Sequence, residues 1–94
     1  MGNDRDFTEF EQAVATVLEG LGEGDVVSYG DVAAEAGIPG AARAVGRFQT
    51  TYEGFPWRRV VNAAGRLVPG HEVKQTKLLR KEGVVVVNGK VAPA

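Results

Sequence analysis

From residue 7 onward the chain sets apolar and polar positions in a helical rhythm. Phe7, Phe10, Val14, Val17, Leu18 and Leu21 recur at helical spacing, and Glu9, Glu11, Gln12, Thr16 and Glu19 fill the rest of the wheel. That pattern predicts an amphipathic first helix with its apolar stripe turned to a core. The segment "GLGEGD" ends it, because glycine accepts the left-handed backbone that closes helices. In "SYGDVAAEAGIPGAARAVGRFQ" Ser28 and Asp31 have the spacing of a capping box, so a second, short helix starts there and ends at Gly37. Pro39 suits the first turn of a third helix, where a missing N–H costs little. Along that helix Ala41, Ala44, Val45 and Phe48 make a buried stripe, while Arg43 and Arg47 share a different face. Two short helices joined by a glycine-containing turn form a helix-turn-helix.

The second half changes rhythm. "RVVNAAGRLV" predicts a short hairpin around Ala63, Ala64 and Gly65, and "HEVKQTKLLRKEG" a basic helix ended by Gly83. In "VVVVNGKVAPA" the pair Asn88-Gly89 is the strongest two-residue hairpin signal, so Val84–Val87 should pair with Lys90–Ala92. The expected fold is therefore α+β and mainly helical. It is a winged helix-turn-helix-like single domain over residues 1–94 with short β-hairpins, residues 1–6 forming a flexible N-terminus.

Composition narrows the chemistry. A chain of 94 residues buries only roughly 60–65% of its unfolded surface, so one economical core is expected. No run approaches the ~20 apolar residues of a bilayer span, and "MGNDRDFTEF" lacks the layout of a signal peptide. A cytoplasmic protein is expected, nucleoid-associated in a bacterium, with no membrane partner. The chain has no cysteine, which excludes a disulfide, a thiolate nucleophile and a Cys-based metal site. A lone His71 does not make a zinc site, and no metal or cofactor is expected.

Charge alters the picture more. The net charge is −1, yet residues 1–36 carry nine acids against Arg5, and residues 37–94 carry ten bases against Glu53, Glu72 and Glu82. A chain divided this way can present one basic face while staying near neutral. The small residues of "PGAARAVG" allow two readings: tight packing between helices, or a slim helix entering a DNA groove.

Three segments in order then carry a resemblance: "SYGDVAAEAG", "AARAVG" and "PWRRVV", followed by "LLRKEG". Together, over roughly residues 7–83, they resemble the DNA-binding domain of the O6-alkylguanine-DNA alkyltransferases. The active motif of that family reads Pro-Cys-His-Arg-Val, and its cysteine takes the alkyl group from a flipped guanine. Trp57 stands at the cysteine position, which is similar to the alkyltransferase-like branch, where tryptophan replaces the nucleophile. An indole cannot make the nucleophilic attack that a thiolate makes. The resemblance thus implies a non-enzymatic protein.

It also implies roles. Arg43 matches an arginine finger that fills the gap left by the extruded base, and Tyr29 matches a tyrosine that helps rotate the nucleotide out. Trp57, Val60 and Arg58 would belong to the lesion pocket; Arg59 and Glu82 would be structural. Arg58 replaces the motif histidine, and Glu82, which matches the acid that orients that histidine, is expected to form an ion pair, with Arg58 as a candidate. Arg47, Lys74 and Lys77 would contact the DNA backbone. "RFQTTYEGF" is shorter than its counterpart and lacks an Asn-Pro hinge; "LVPGHEV" lacks a Tyr-Ser-Gly-Gly sequence, so Pro69, Gly70 and His71 would shape a different pocket.

The implied function is to bind and flip O6-alkylguanine in duplex DNA as a monomer and mark it for another pathway, such as the nucleotide excision repair proteins. The alternatives are a sequence-specific winged-helix regulator without lesion preference, and an interaction module that keeps only the fold.

Overall fold

The computed structural model describes residues 6–92. The expected flexible stretch at 1–6 lies outside these, apart from Asp6. Four helices and two pairs of very short strands follow in order: α1 (Glu9–Glu19), β1 (Val27–Ser28), α2 (Tyr29–Glu35), α3 (Ala42–Thr51), β2 (Val60–Val61), α4 (Glu72–Lys81), β3 (Val86–Val87) and β4 (Lys90–Val91). A single 3₁₀ turn, Trp57–Arg59, precedes β2.

The helices start and stop for local reasons. Thr8 caps α1 through a reciprocal pair with Glu11, and Ser28 caps α2 through Asp31 as its spacing predicts. Phe7 lies before the cap of α1, not within it, and its ring packs against Phe48 and Tyr52 of the third-helix region at 5.3 and 4.9 Å. Pro39 departs from expectation. The amide of Ala41 bonds to the carbonyl of Ile38, with Gly40 at φ +93° between them, so Pro39 holds a turn and α3 begins only at Ala42. A proline followed by a positive-φ glycine is the sequence of a type II turn, and that local preference wins over helix initiation.

Strand alternation divides the interior. The parallel pairing of Val27 with Val60 and Ser28 with Val61 joins β1 to β2. Val60 enters the helical core with Val14, Leu18, Val32, Val45 and Phe48, whereas Val61 enters a second cluster with Leu67, Leu79 and Val86. One two-residue strand thereby joins the helix-turn-helix to the wing.

The wing is the expected hairpin: Val86 opposes Val91, Val87 opposes Lys90, and Asn88 and Gly89 take φ of 54° and 72°. The hairpin expected around residues 63–65 is only partly present. The chain does reverse there, closed by the Asn62 amide on the Arg66 carbonyl at 3.1 Å. Its two arms, however, find other partners: Val60–Val61 pairs with β1, and Arg66 bridges Lys90. Backbone groups at both arms are better satisfied by existing strands than by a two-residue ladder. No helix among the described residues is long and apolar enough to cross a membrane.

Candidate nucleic-acid interface

The 3₁₀ turn carrying Trp57 is formed by its neighbours. Pro56 sits at φ −77°, ψ 63°, and the Trp57 amide reaches the Phe55 carbonyl at 2.7 Å, an inverse γ-turn that bends the chain just before the indole. The ring is half-buried and meets His71 edge-on, with centroids 5.8 Å apart.

Glu82 fixes that turn from behind. One carboxylate oxygen accepts from Arg58 Nε at 2.6 Å and Arg59 Nη2 at 3.0 Å; the other accepts from Arg59 Nε at 2.9 Å and the Gly24 amide at 2.8 Å. Arg59 Nη1 also donates to the Leu21 carbonyl at 2.9 Å. One side chain therefore joins the loop after α1, the Trp57 turn and the end of α4. The Arg59 hydrogen bond is the chief reason the Glu82 carboxyl is pushed down to about 2, with Gly24 and Arg58 adding to it against the effect of burial. The expected ion pair with Arg58 is present, and Arg59 joins it. Glu82 owes its position to Gly83, whose φ of +85° closes α4, with bonds from the Gly83 amide to Arg80 and the Val84 amide to Leu79.

Gln75 holds the same turn from the other side, and sequence reasoning missed it. It is fully buried, donates through Nε2 to the Arg58 and Val60 carbonyls at 3.0 and 3.3 Å, and accepts from the Val68 amide at 2.7 Å. The available signal was its place four residues before Leu79 and seven before Glu82, a polar residue on the inward face of α4.

Beside the Trp57 turn lies an open cleft of about 470 Å³, within the ~300–1,000 Å³ usual for small-molecule sites. The start of α2 gives it Tyr29, α3 gives Gly46, Gln49 and Thr50, and the Trp57 turn and the start of α4 supply Trp57, His71 and Lys74. Burial raises the pKa of the Tyr29 hydroxyl, which stays protonated and able to donate. Arg43 is not in the cleft. It lies three residues before Gly46 and seven before Thr50 on α3, exposed on the same helical face one turn further on, beside exposed Arg47. Lys77 is exposed one turn beyond Lys74 on α4.

Two expected pocket residues lie elsewhere. Val60 is fully buried in the helical core, because strand alternation turns it inward, and it lines no part of the cleft. Arg58 borders a neighbouring cleft with Tyr52, Gly54 and Phe55, its guanidinium drawn back by Glu82. Of Pro69, Gly70 and His71, only His71 lines the Tyr29–Trp57 cleft.

Comparison with known proteins relates the sequence and the fold to a family. A family model described as the 6-O-methylguanine DNA methyltransferase DNA binding domain matches residues 9–84. A DNA base-flipping protein of Escherichia coli is 43% identical over 82 residues, covering 82% of this chain and 64% of that protein's length. The crystal structure of S. pombe Atl1 with damaged DNA containing O6-carboxymethylguanine superposes with a TM-score of 0.81 at 27% identity, covering 96% of this chain and 93% of that one. The O6-methylguanine methyltransferase of Mycobacterium tuberculosis gives 0.69 at 36% identity, covering 84% of this chain and 51% of the enzyme's.

Proposed function

This chain belongs to the family of the 6-O-methylguanine DNA methyltransferase DNA-binding domain, and from that membership we propose that it turns an O6-alkylguanine out of duplex DNA and holds it without repairing it. The observation that carries the reading is a cleft walled by Tyr29 and Trp57, reached from the arginine-bearing face of α3, in a chain with no cysteine.

In this account α3 lies against the DNA groove and Arg43 occupies the gap in the stack. Arg47, Lys74 and Lys77 bind backbone phosphates. Tyr29 crowds the phosphate of the target nucleotide at the cleft's mouth, and the base stacks against the indole of Trp57. Extrusion costs a few kcal/mol, less for an alkylated, weakly paired base, and that difference favours the lesion. Glu82 and Gln75 keep the indole wall in place while the base enters. Trp57 occupies the family's nucleophile position and Arg58 the position of its activating histidine, so the alkyl group stays on the base. The bound lesion then marks the site for a second system such as nucleotide excision repair. The protein works in the cytoplasm, as a monomer and without a cofactor.

Trp57 is the only tryptophan, so its fluorescence reports directly on the cleft. Titration with a duplex containing O6-methylguanine should quench that emission at lower DNA concentration than the matching guanine duplex. Identical titrations, or no change of emission with either, would contradict the proposal.

A further inference from the structure

Gln49 carries a mismatch that the fold does not explain. It lies on α3 beside the Tyr29–Trp57 cleft and also lines the neighbouring cleft behind Trp57. Its Oε1 is sealed from solvent and meets no hydrogen-bond donor among the described residues. A buried acceptor without a donor destabilises a protein, and a leucine or methionine would fill the same space without that penalty. Such a group is expected to find its partner in another state of the molecule.

An O6-alkylated guanine has the matching chemistry. Alkylation at O6 removes the proton from N1, so N1, N3, N7 and O6 are all acceptors. The exocyclic 2-amino group is then the only donor left on the base. At the cleft the Tyr29 hydroxyl can donate to one of those acceptors. Glu53, another acceptor on that wall, already has an interaction of its own. Among the described residues, Gln49 Oε1 is the buried side-chain acceptor on that wall that meets no donor.

We infer that Gln49 is a specificity-determining residue whose side-chain oxygen, swung out of its sealed position, accepts a hydrogen bond from the 2-amino group of the base held in the cleft. This rests on the lesion-binding reading above. It makes the protein selective for alkylated guanine over other 6-alkoxypurines, and it trades some stability of the free protein for that selectivity.

The test uses duplexes that differ only in the 2-amino group, one with O6-methylguanine and one with O6-methylhypoxanthine at the same position. Each is titrated with the wild type, Gln49→Leu and Gln49→Glu, and a guanine duplex is run alongside. The pairing strengths of the two adducts differ equally for every protein, so the informative quantity is how each substitution changes the ratio of affinities. Gln49→Leu should weaken binding to the guanine adduct by about 2- to 10-fold, the worth of one hydrogen bond, and change the hypoxanthine adduct less than 2-fold. Gln49→Glu keeps an acceptor and should keep the preference for the guanine adduct. The free Gln49→Leu protein should melt no lower than the wild type. Equal weakening of both adducts, no weakening of either, or a lower melting temperature would overturn the inference while leaving the lesion-binding reading intact. A wild type that does not distinguish O6-methylguanine from guanine would remove both.

Discussion

Glu82 balances two guanidiniums and one backbone amide at once, which ties the shape of the Trp57 turn to a single ionisation. Its carboxyl is pushed down to about 2, below the ~4.3 of an unfolded chain, so its contribution is complete above about pH 5. That contribution is lost as pH falls through the folded value. Denaturant unfolding should show the wild type losing stability between about pH 5 and pH 2 more steeply than Glu82→Gln. At neutral pH the substitution leaves two arginines without their counter-charge and should cost about 2–4 kcal/mol, the lower end favoured because Arg58 is 28% exposed. Trp57→Ala tests a different property. The ring is half-buried and borders the cleft, so its loss should reduce binding of a lesion duplex about 10-fold or more, as expected from base–aromatic stacking of ~1–3 kcal/mol. Arg43→Ala removes an exposed side chain and should leave stability within about 0.5 kcal/mol. It should nevertheless weaken lesion duplex more than undamaged duplex, as measured by fluorescence anisotropy.

At the scale of elements, what was legible in the sequence was what depends on neighbours a few residues away. The stripe on α1, the Ser28–Asp31 cap, the Gly83 stop and the Asn88-Gly89 turn are all local, and all are present. Pro39 was misplaced because two local preferences competed there, and the turn with Gly40 prevailed. The arms around Asn62 to Arg66 and the inward turn of Val60 depend on partners more than 20 residues distant, β1 and the wing, which periodicity cannot supply. Gln75 was hidden for a related reason: its partners are only seven to seventeen residues away, but its value lies in joining the Trp57 turn to the Val68 loop, and helical periodicity reports burial without naming a partner. The order of Tyr29, Arg43 and Trp57 along the chain was legible, and the structure brings Tyr29 and Trp57 to one cleft and Arg43 to its adjoining helix face. Gly46 gives the element-scale prediction. It sits inside α3 on the cleft, and a Cβ there would meet nothing within 4 Å, so packing does not require glycine. Gly46→Ala should raise stability by roughly 0.5–1 kcal/mol through helix propensity. A larger side chain such as Gly46→Leu should narrow the cleft and lower lesion affinity, measured on the same duplexes.

Across the whole molecule the division of charge becomes a division of labour. The acids concentrate before residue 37, on α1, the loop after it and α2, whereas the bases lie on α3, the Trp57 turn, α4 and the wing. Near-neutral total charge limits indiscriminate attraction to nucleic acid, while the basic elements surround the cleft. With Arg47, Lys74 and Lys77 proposed as the phosphate contacts, affinity should fall about 40-fold between 50 and 200 mM salt. Lesion preference should change far less, because base stacking and hydrogen bonding in the cleft release no counterions. The central claim, recognition of an alkylated base without chemistry upon it, is tested most directly by equilibrium affinity at one fixed salt concentration. Two duplexes should be compared that differ only in O6-methylguanine against guanine. The protein should bind the methylated duplex markedly more tightly; equal affinity for the two would contradict lesion recognition.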